Sequence, residues 1–354
     1  MNLATLSRLN AVADLGQQVW LDQFSAELIH SGELASWIAD DGVAGMNVTA
    51  SMFYNALRSG SSYRAALPAL RLAHADPQTR FEALVLPELQ AACDLFAPLH
   101  AATRAGAGLV SVALAPRLAH DREATVAAAR RLWAALDRPN AMIAIPATEA
   151  GIAALEQAIF DGINVNATLV AGPRQLAAVR AAHRRGLARR LQAKLSVQRI
   201  ASVSSMSVGP LDVAANALLP EGAALRGRTA IAAARLAWRD AREDSQFAVF
   251  AAFGARPQTL LWGATAASGP DPLAYMEQLI GPDSIQCATA PTLLVFRERG
   301  AARLSLADDA GGAEALLAQL ARKGIDLDTL ADDLLAAGLA RFDQAHSNLL
   351  AMLE

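Results

Sequence analysis

Several things are scarce in this sequence, and each scarcity narrows what the chain does. Cysteine occurs twice, as Cys93 and Cys287. Two thiols are too few for a disulfide framework or a cysteine metal site. Lysine plus arginine number 31, but the lysines are only Lys194 and Lys323. A codon usage that favours Ala, Arg and Gly accounts for the general trend. It also leaves a mechanism based on a nucleophilic lysine just those two candidates. No apolar run approaches the roughly 18–20 residues of a membrane span. The opening MNLATLSRLNAVADLG has no basic segment followed by an apolar one, so no secretory signal is read there. The formal net charge of -3 and pI near 6.1 argue against nucleic acid as the main partner. Gly106 and Gly108 precede an apolar run instead of following one, so a dinucleotide-binding fingerprint fails.

What is present is apolar. Of 354 residues, 53% are hydrophobic and 18% charged, and the mean hydropathy is +0.24. A chain of this length and composition builds its core without staples and is not disordered. The expectation is a globular, cytoplasmic protein that does not enter a membrane.

Short, almost continuously apolar runs alternate with longer amphipathic ones. Strands are predicted at 17–22, 44–48, 108–114, 141–146, 162–170, 199–206, 258–264 and 283–288. Such runs suit strands buried on both faces of a parallel sheet. Helical patterns fill the gaps, at 121–136, at 148–162 with a Thr start and a Gly stop, and at 173–193. Strand and helix in eightfold alternation predict an α/β fold, a (β/α)8 TIM barrel, although pattern alone leaves an open doubly wound sheet possible. Extra helices are expected at about 50–107. A C-terminal helical extension at about 312–354, broken near 323–328, is expected on the barrel or across its mouth. Residues 1–354 are read as a single barrel domain with these additions.

The strings GQQVWLD (16–22), LAHD (118–121), RRLWAALDRPNAMIAIPAT (130–148), GINVNATL (162–169), RIASVSS (199–205), RPQTLLWGAT (256–265), LIGPDSIQ (279–286) and the stretch 324–354 are collinear with motifs of one family. The chain resembles the transaldolases over nearly its whole length, most of all the longer bacterial ones of actinobacterial or cyanobacterial type. The resemblance implies the same barrel with an extra C-terminal helix. It also implies an enzyme that moves a dihydroxyacetone unit between sugar phosphates, through a Schiff base on a strand lysine, with carboxylates and water moving protons.

The residues that carry this chemistry in the family are largely absent. The lysine strand, Met-Ile-Lys-Val-Pro-Ala-Thr in the family, reads Met142-Ile143-Ala144-Ile145-Pro146-Ala147-Thr148. The acid–base glutamate of Val-Ser-Leu-Glu-Val-Ser-Pro aligns with Ala113, and the substrate-binding asparagine with Thr49. Asn47, two positions earlier, is expected to face elsewhere. The phosphate-binding arginine aligns with Pro210, and a second cation is missing from Thr265-Ala266-Ala267-Ser268. The resemblance retains Asp22 as the candidate catalytic carboxylate, and Asn166, Thr168 and Ser205 as substrate-binding polar groups beside Thr49. A bland alternative is that these polar strand ends persist because they hydrogen-bond one another. Ala113, Ala144 and Pro210 predict a roomier, more apolar pocket for a small-molecule ligand at the C-terminal face of the barrel.

None of the histidines at 30, 74, 100, 120, 183 and 346 has metal-ligand spacing, so no metal and no cofactor are expected. His120 is read as a helix cap. Trp20, Trp133, Trp262 and Cys287 are read as core. The leading expectation is a transaldolase-like protein that has lost its ancestral chemistry and serves another small molecule, in specialised biosynthesis. The alternatives are an active transaldolase using a substitute group and a non-catalytic binding or interaction protein. A monomer or homodimer is expected.

Overall fold

The computed structural model describes residues 7–59, 61–73, 76–265 and 271–354. The predicted alternation is realised in full. Strands β1 (Gln17–Leu21), β2 (Val43–Val48), β3 (Leu109–Ala113), β4 (Ala141–Pro146), β5 (Val165–Val170), β6 (Ser202–Ser207), β7 (Thr259–Gly263) and β8 (Ser284–Ala288) pair in parallel, in sequence order. β1 returns to β8, and the barrel closes. The buried runs seen in the sequence are the barrel staves, covered inside by one another and outside by helices.

Alternation along each strand sends every second residue inward. Trp20, Leu109, Met142, Ala201, Val203, Leu261, Ile285 and Cys287 meet in a packed layer across the axis. Cys287 is core, as expected, and Trp262 is wholly buried in the larger cluster outside the barrel. Trp20 fills the layer only because β2 carries Gly45 beside it. A Cβ there would lie 2.5 Å from the indole Cε2 and 2.6 Å from Nε1.

The helices start and stop where their caps dictate. Thr148 accepts from the Gly151 amide to begin Glu149–Asp161, and Gly162 ends that helix with φ 89°. Asp121 caps Arg122–Leu136 by accepting from the Ala124 amide. The cap was expected of His120, but the short carboxylate reaches the free amide, and His120 lies exposed one residue earlier.

Residues 50–102 form the expected extra helices, Ala50–Ser59, Ser61–Ala73 and Pro77–Ala102. The C-terminal helices are Ala310–Arg322 and Leu327–Leu353. The last of these runs along the C-terminal rim, from the helices following β5 and β6 to the one following β2. Gly338 lets it approach Leu169 at the end of β5, where an added Cβ would lie 2.6 Å from the Leu169 side chain. Leu339 packs there with Leu169 and Ala119. Gln78 Oε1 and His346 Nε2 lie 3.0 Å apart, which ties the far end to the helix Pro77–Ala102. Among the described residues, no helix is long and apolar enough to cross a membrane.

The indole beside Gly45 has no room to retreat, since Trp20 is fully buried. Gly45→Ala is therefore expected to destabilise the barrel by about 1–3 kcal/mol, the usual cost of overpacking. Urea denaturation with an unchanged m-value is the check; an unchanged midpoint would contradict the packing argument.

Candidate active site

Above the apolar layer, toward the C-terminal ends of the strands, the inward residues become polar or small. Asp22 follows β1, and its amide bonds to the Ala288 carbonyl of β8 at 2.9 Å. Its carboxylate accepts from Asn47 Nδ2 at 2.9 Å. The expectation that Asn47 faces elsewhere was therefore wrong. A shift of two residues along a strand preserves the face, so Asn47 points inward like Gly45.

A second set lies across the barrel. Asn166 is wholly buried on β5. Its Nδ2 donates to Ser111 Oγ on β3 at 3.0 Å, and its Oδ1 accepts from Ser205 Oγ on β6 at 2.7 Å. Three strands are thus tied by one amide, which must find both partners because a buried polar group left unpaired costs about 1–3 kcal/mol. Ser111 was absent from the sequence reading, although its place on the inward face of β3 follows from the period of two. Thr168 lies half-exposed at the end of β5, and Thr49 bonds the Ser51 hydroxyl at 2.8 Å after β2.

The register puts the two alanines side by side. Ala113 pairs with Ala144, and Ala144 pairs with Asn166. Ala144 is 3% exposed and brings only a methyl group to the level of Asn166. Lys194 is exposed in the loop before β6, at the opposite end of the barrel, and Lys323 is exposed at the end of the helix Ala310–Arg322. Pro210 is half-buried in the first turn of the helix Val208–Ala217 after β6. Of the stretch expected to lack the second cation, Ala266–Ser268 lies outside the described residues. Thr265 is buried and donates to the Cys287 carbonyl at 3.0 Å.

An apolar cavity of about 100 Å³ reaches Thr49 and Ala113. It does not follow the axis. It opens outward between β3 and the helices Pro77–Ala102 and Arg122–Leu136, lined by Phe53, Leu86, Leu89 and Leu132. Ala144 and Pro210 are not in its wall. Arg117, Gln78 and His346 stand at its polar side.

Burial raises the pKa of Asp22 above the ordinary aspartate value, and the Asn47 hydrogen bond offsets part of that. Burial, with Asp22's charge second, pushes the Cys287 thiol well up, so the thiol is a neutral packing group. A carboxyl at the barrel mouth with a raised pKa is suited to giving or taking a proton. The folded protein holds Asp22's proton more tightly than the unfolded chain does. Its favourable neutral form is therefore present below the ordinary range near 3.8 and lost as pH rises. Asp22→Asn is expected to be more stable than the parent at pH 7, with the gap closing as pH falls from the raised folded value toward 3.8. Urea titrations across pH test this, and a pH-independent gap would contradict it.

Comparison with known proteins agrees with this frame. The family model described as transaldolase/fructose-6-phosphate aldolase matches residues 19–353. A protein named transaldolase from Thiobacillus denitrificans is 40% identical over 352 residues, covering 97% of this chain and 98% of the relative. A transaldolase of Neisseria gonorrhoeae is also 40% identical, over 98% and 99% of the two chains. A protein named transaldolase 2 from Nostoc punctiforme is 32% identical over 98% and 97%. The likeness expected to lean toward cyanobacterial or actinobacterial relatives is thus higher to those from Thiobacillus and Neisseria. The chain belongs to the transaldolase/fructose-6-phosphate aldolase family.

Proposed function

We propose that this family member has given up imine chemistry and binds, or transforms by proton transfer at Asp22, a different and less phosphorylated small molecule at the C-terminal mouth of its barrel. Ala144 carries the reading. A methyl group cannot form an imine, and neither lysine of the chain is on the inward face of a strand. Ala113 removes the proton shuttle beside it, and Pro210 brings no cation to the helix after β6.

The magnitudes favour loss over compensation. Removing a nucleophile, an acid–base group or an oxyanion-stabilising group costs on the order of 10²–10⁴ in rate apiece. A single exchange at Ala144 would leave Ala113, Thr49 and Pro210 without a reason, whereas a relaxed or redirected site accounts for all four. What remains is an acid–base carboxyl at Asp22, hydroxyls at Thr49, Thr168 and Ser205, and an apolar side cavity reaching Ala113. Such a set fits a ligand with hydroxyl groups and a compact apolar part, as a specialised biosynthetic intermediate would have. The same reading has the protein acting in the cytoplasm as a monomer or homodimer.

Borohydride reduction in the presence of fructose 6-phosphate, read by intact-protein mass, tests the proposal. No adduct is expected on the parent chain, and one is expected on the Ala144→Lys, Ala113→Glu double variant. An adduct on the parent would overturn it.

A further inference from the structure

The end of the barrel opposite the mouth carries an open cavity of about 950 Å³. It lies among the segments that enter β3, β4, β5, β6 and β7. Active sites of this fold sit at the other end, so the cavity is independent of the site proposed above. Its volume falls in the range of about 300–1,000 Å³ typical of small-molecule pockets.

Its walls are positively charged. Arg104, Arg199, Arg256 and His100 line it, and none of its lining residues is acidic. Some neighbouring arginines are paired with carboxylates: Arg130 with Asp161, Arg131 with Glu82, Arg138 with Asp94. Arg104 and Arg199 are exposed, and their guanidinium groups have neither a hydrogen bond nor an ion pair among the described residues. Arg256 donates to the backbone carbonyls of Thr103, at 3.1 Å, and Arg104, and has no carboxylate partner among the described residues. His100 is 9% exposed, and its Nδ1 has no partner. Burial and the charges of Arg256 and Arg199 hold His100 toward its neutral form.

The backbone that presents Arg104 is strained. Arg104 and Ala105 have successive φ values of 53° and 73°, a left-handed conformation that costs non-glycine residues about 1 kcal/mol or more each. Such strain persists where the surroundings over-determine it, as Arg256 does here by gripping the two carbonyls. Trp133, expected in the core, is half-exposed and contributes an aromatic wall.

Unpaired guanidinium groups converging without a counter-charge repel one another, and they match phosphate oxygens in geometry and charge. We propose that this cavity binds a small polyphosphate-bearing molecule, held by Arg104, Arg199 and Arg256. Its source is either a nucleotide, whose base would lie on Trp133, or a free polyphosphate.

Calorimetric titration of the full chain with ATP and with inorganic tripolyphosphate, in magnesium-free and phosphate-free buffer of low salt, tests this. Both probes are expected to bind, and added salt to weaken them. Arg104→Ala with Arg199→Ala is expected to weaken both by about tenfold or more, the worth of one lost charged hydrogen bond or better. The charge-matched control Arg322→Ala with Arg341→Ala, on exposed positions far along the chain, is expected to bind as the parent does. Loss of ATP binding alone in Trp133→Ala assigns the nucleotide; equal retention of both probes assigns the free polyphosphate. No binding of either probe, or equal binding by parent and Arg104/Arg199 variant, or equal weakening in the control, would overturn the proposal. Urea melts of the variants show whether the fold is intact.

Discussion

Everything at the mouth of this barrel depends on the buried side-chain amide of Asn166. It is wholly buried in a closed parallel sheet, and both of its polar atoms are committed, one to Ser111 and one to Ser205. These bonds hold β3, β5 and β6 together at one level. Ala144 occupies the stave between β3 and β5 at that level. The polar scaffold at that level is thus intact, and Ala144 brings only a methyl group to it. On the proposed reading, persistence of the polar layer and loss of the reactive groups are compatible because they answer to different demands. The layer satisfies buried hydrogen bonds and so serves stability. The lysine and glutamate would serve only the reaction.

Asp22 divides its role between the two. Its bond to Asn47 is structural, of the same kind as the Asn166 bonds. Its partial exposure and raised pKa leave it fit for proton transfer. The side cavity reaching Ala113 is the second feature of this end of the barrel. Beside Ala113 its wall carries leucines and Phe53, with Glu82, Arg117 and Arg131 also lining it.

Much of this could be read from the residues, for a physical reason. Parallel strands covered on both faces are nearly uninterrupted apolar runs, so all eight were visible, and helices with Thr or Asp starts and Gly stops were nearly as plain. Asn47 was misread because it was judged by its place in a motif instead of by the period of two that its strand obeys. The same period would have found Ser111. His120 lost the cap to Asp121 because capping needs a short acceptor one residue before the helix. Trp133 and the arginine cavity escaped because they depend on which loops the barrel brings to one end. The segments carrying His100 and Arg104, Trp133, Arg199 and Arg256 are far apart in the chain, and no local pattern links them. The side cavity is likewise a product of how two long helices pack beside β3.

The central claim is that the family frame remains while its covalent chemistry does not. It is tested most directly by steady-state transfer of a three-carbon unit from fructose 6-phosphate to an aldose phosphate acceptor, followed by release of glyceraldehyde 3-phosphate from purified protein. The account predicts no release above the protein-free background. Turnover of about 1 s⁻¹ or more, ordinary for an enzyme, would contradict it.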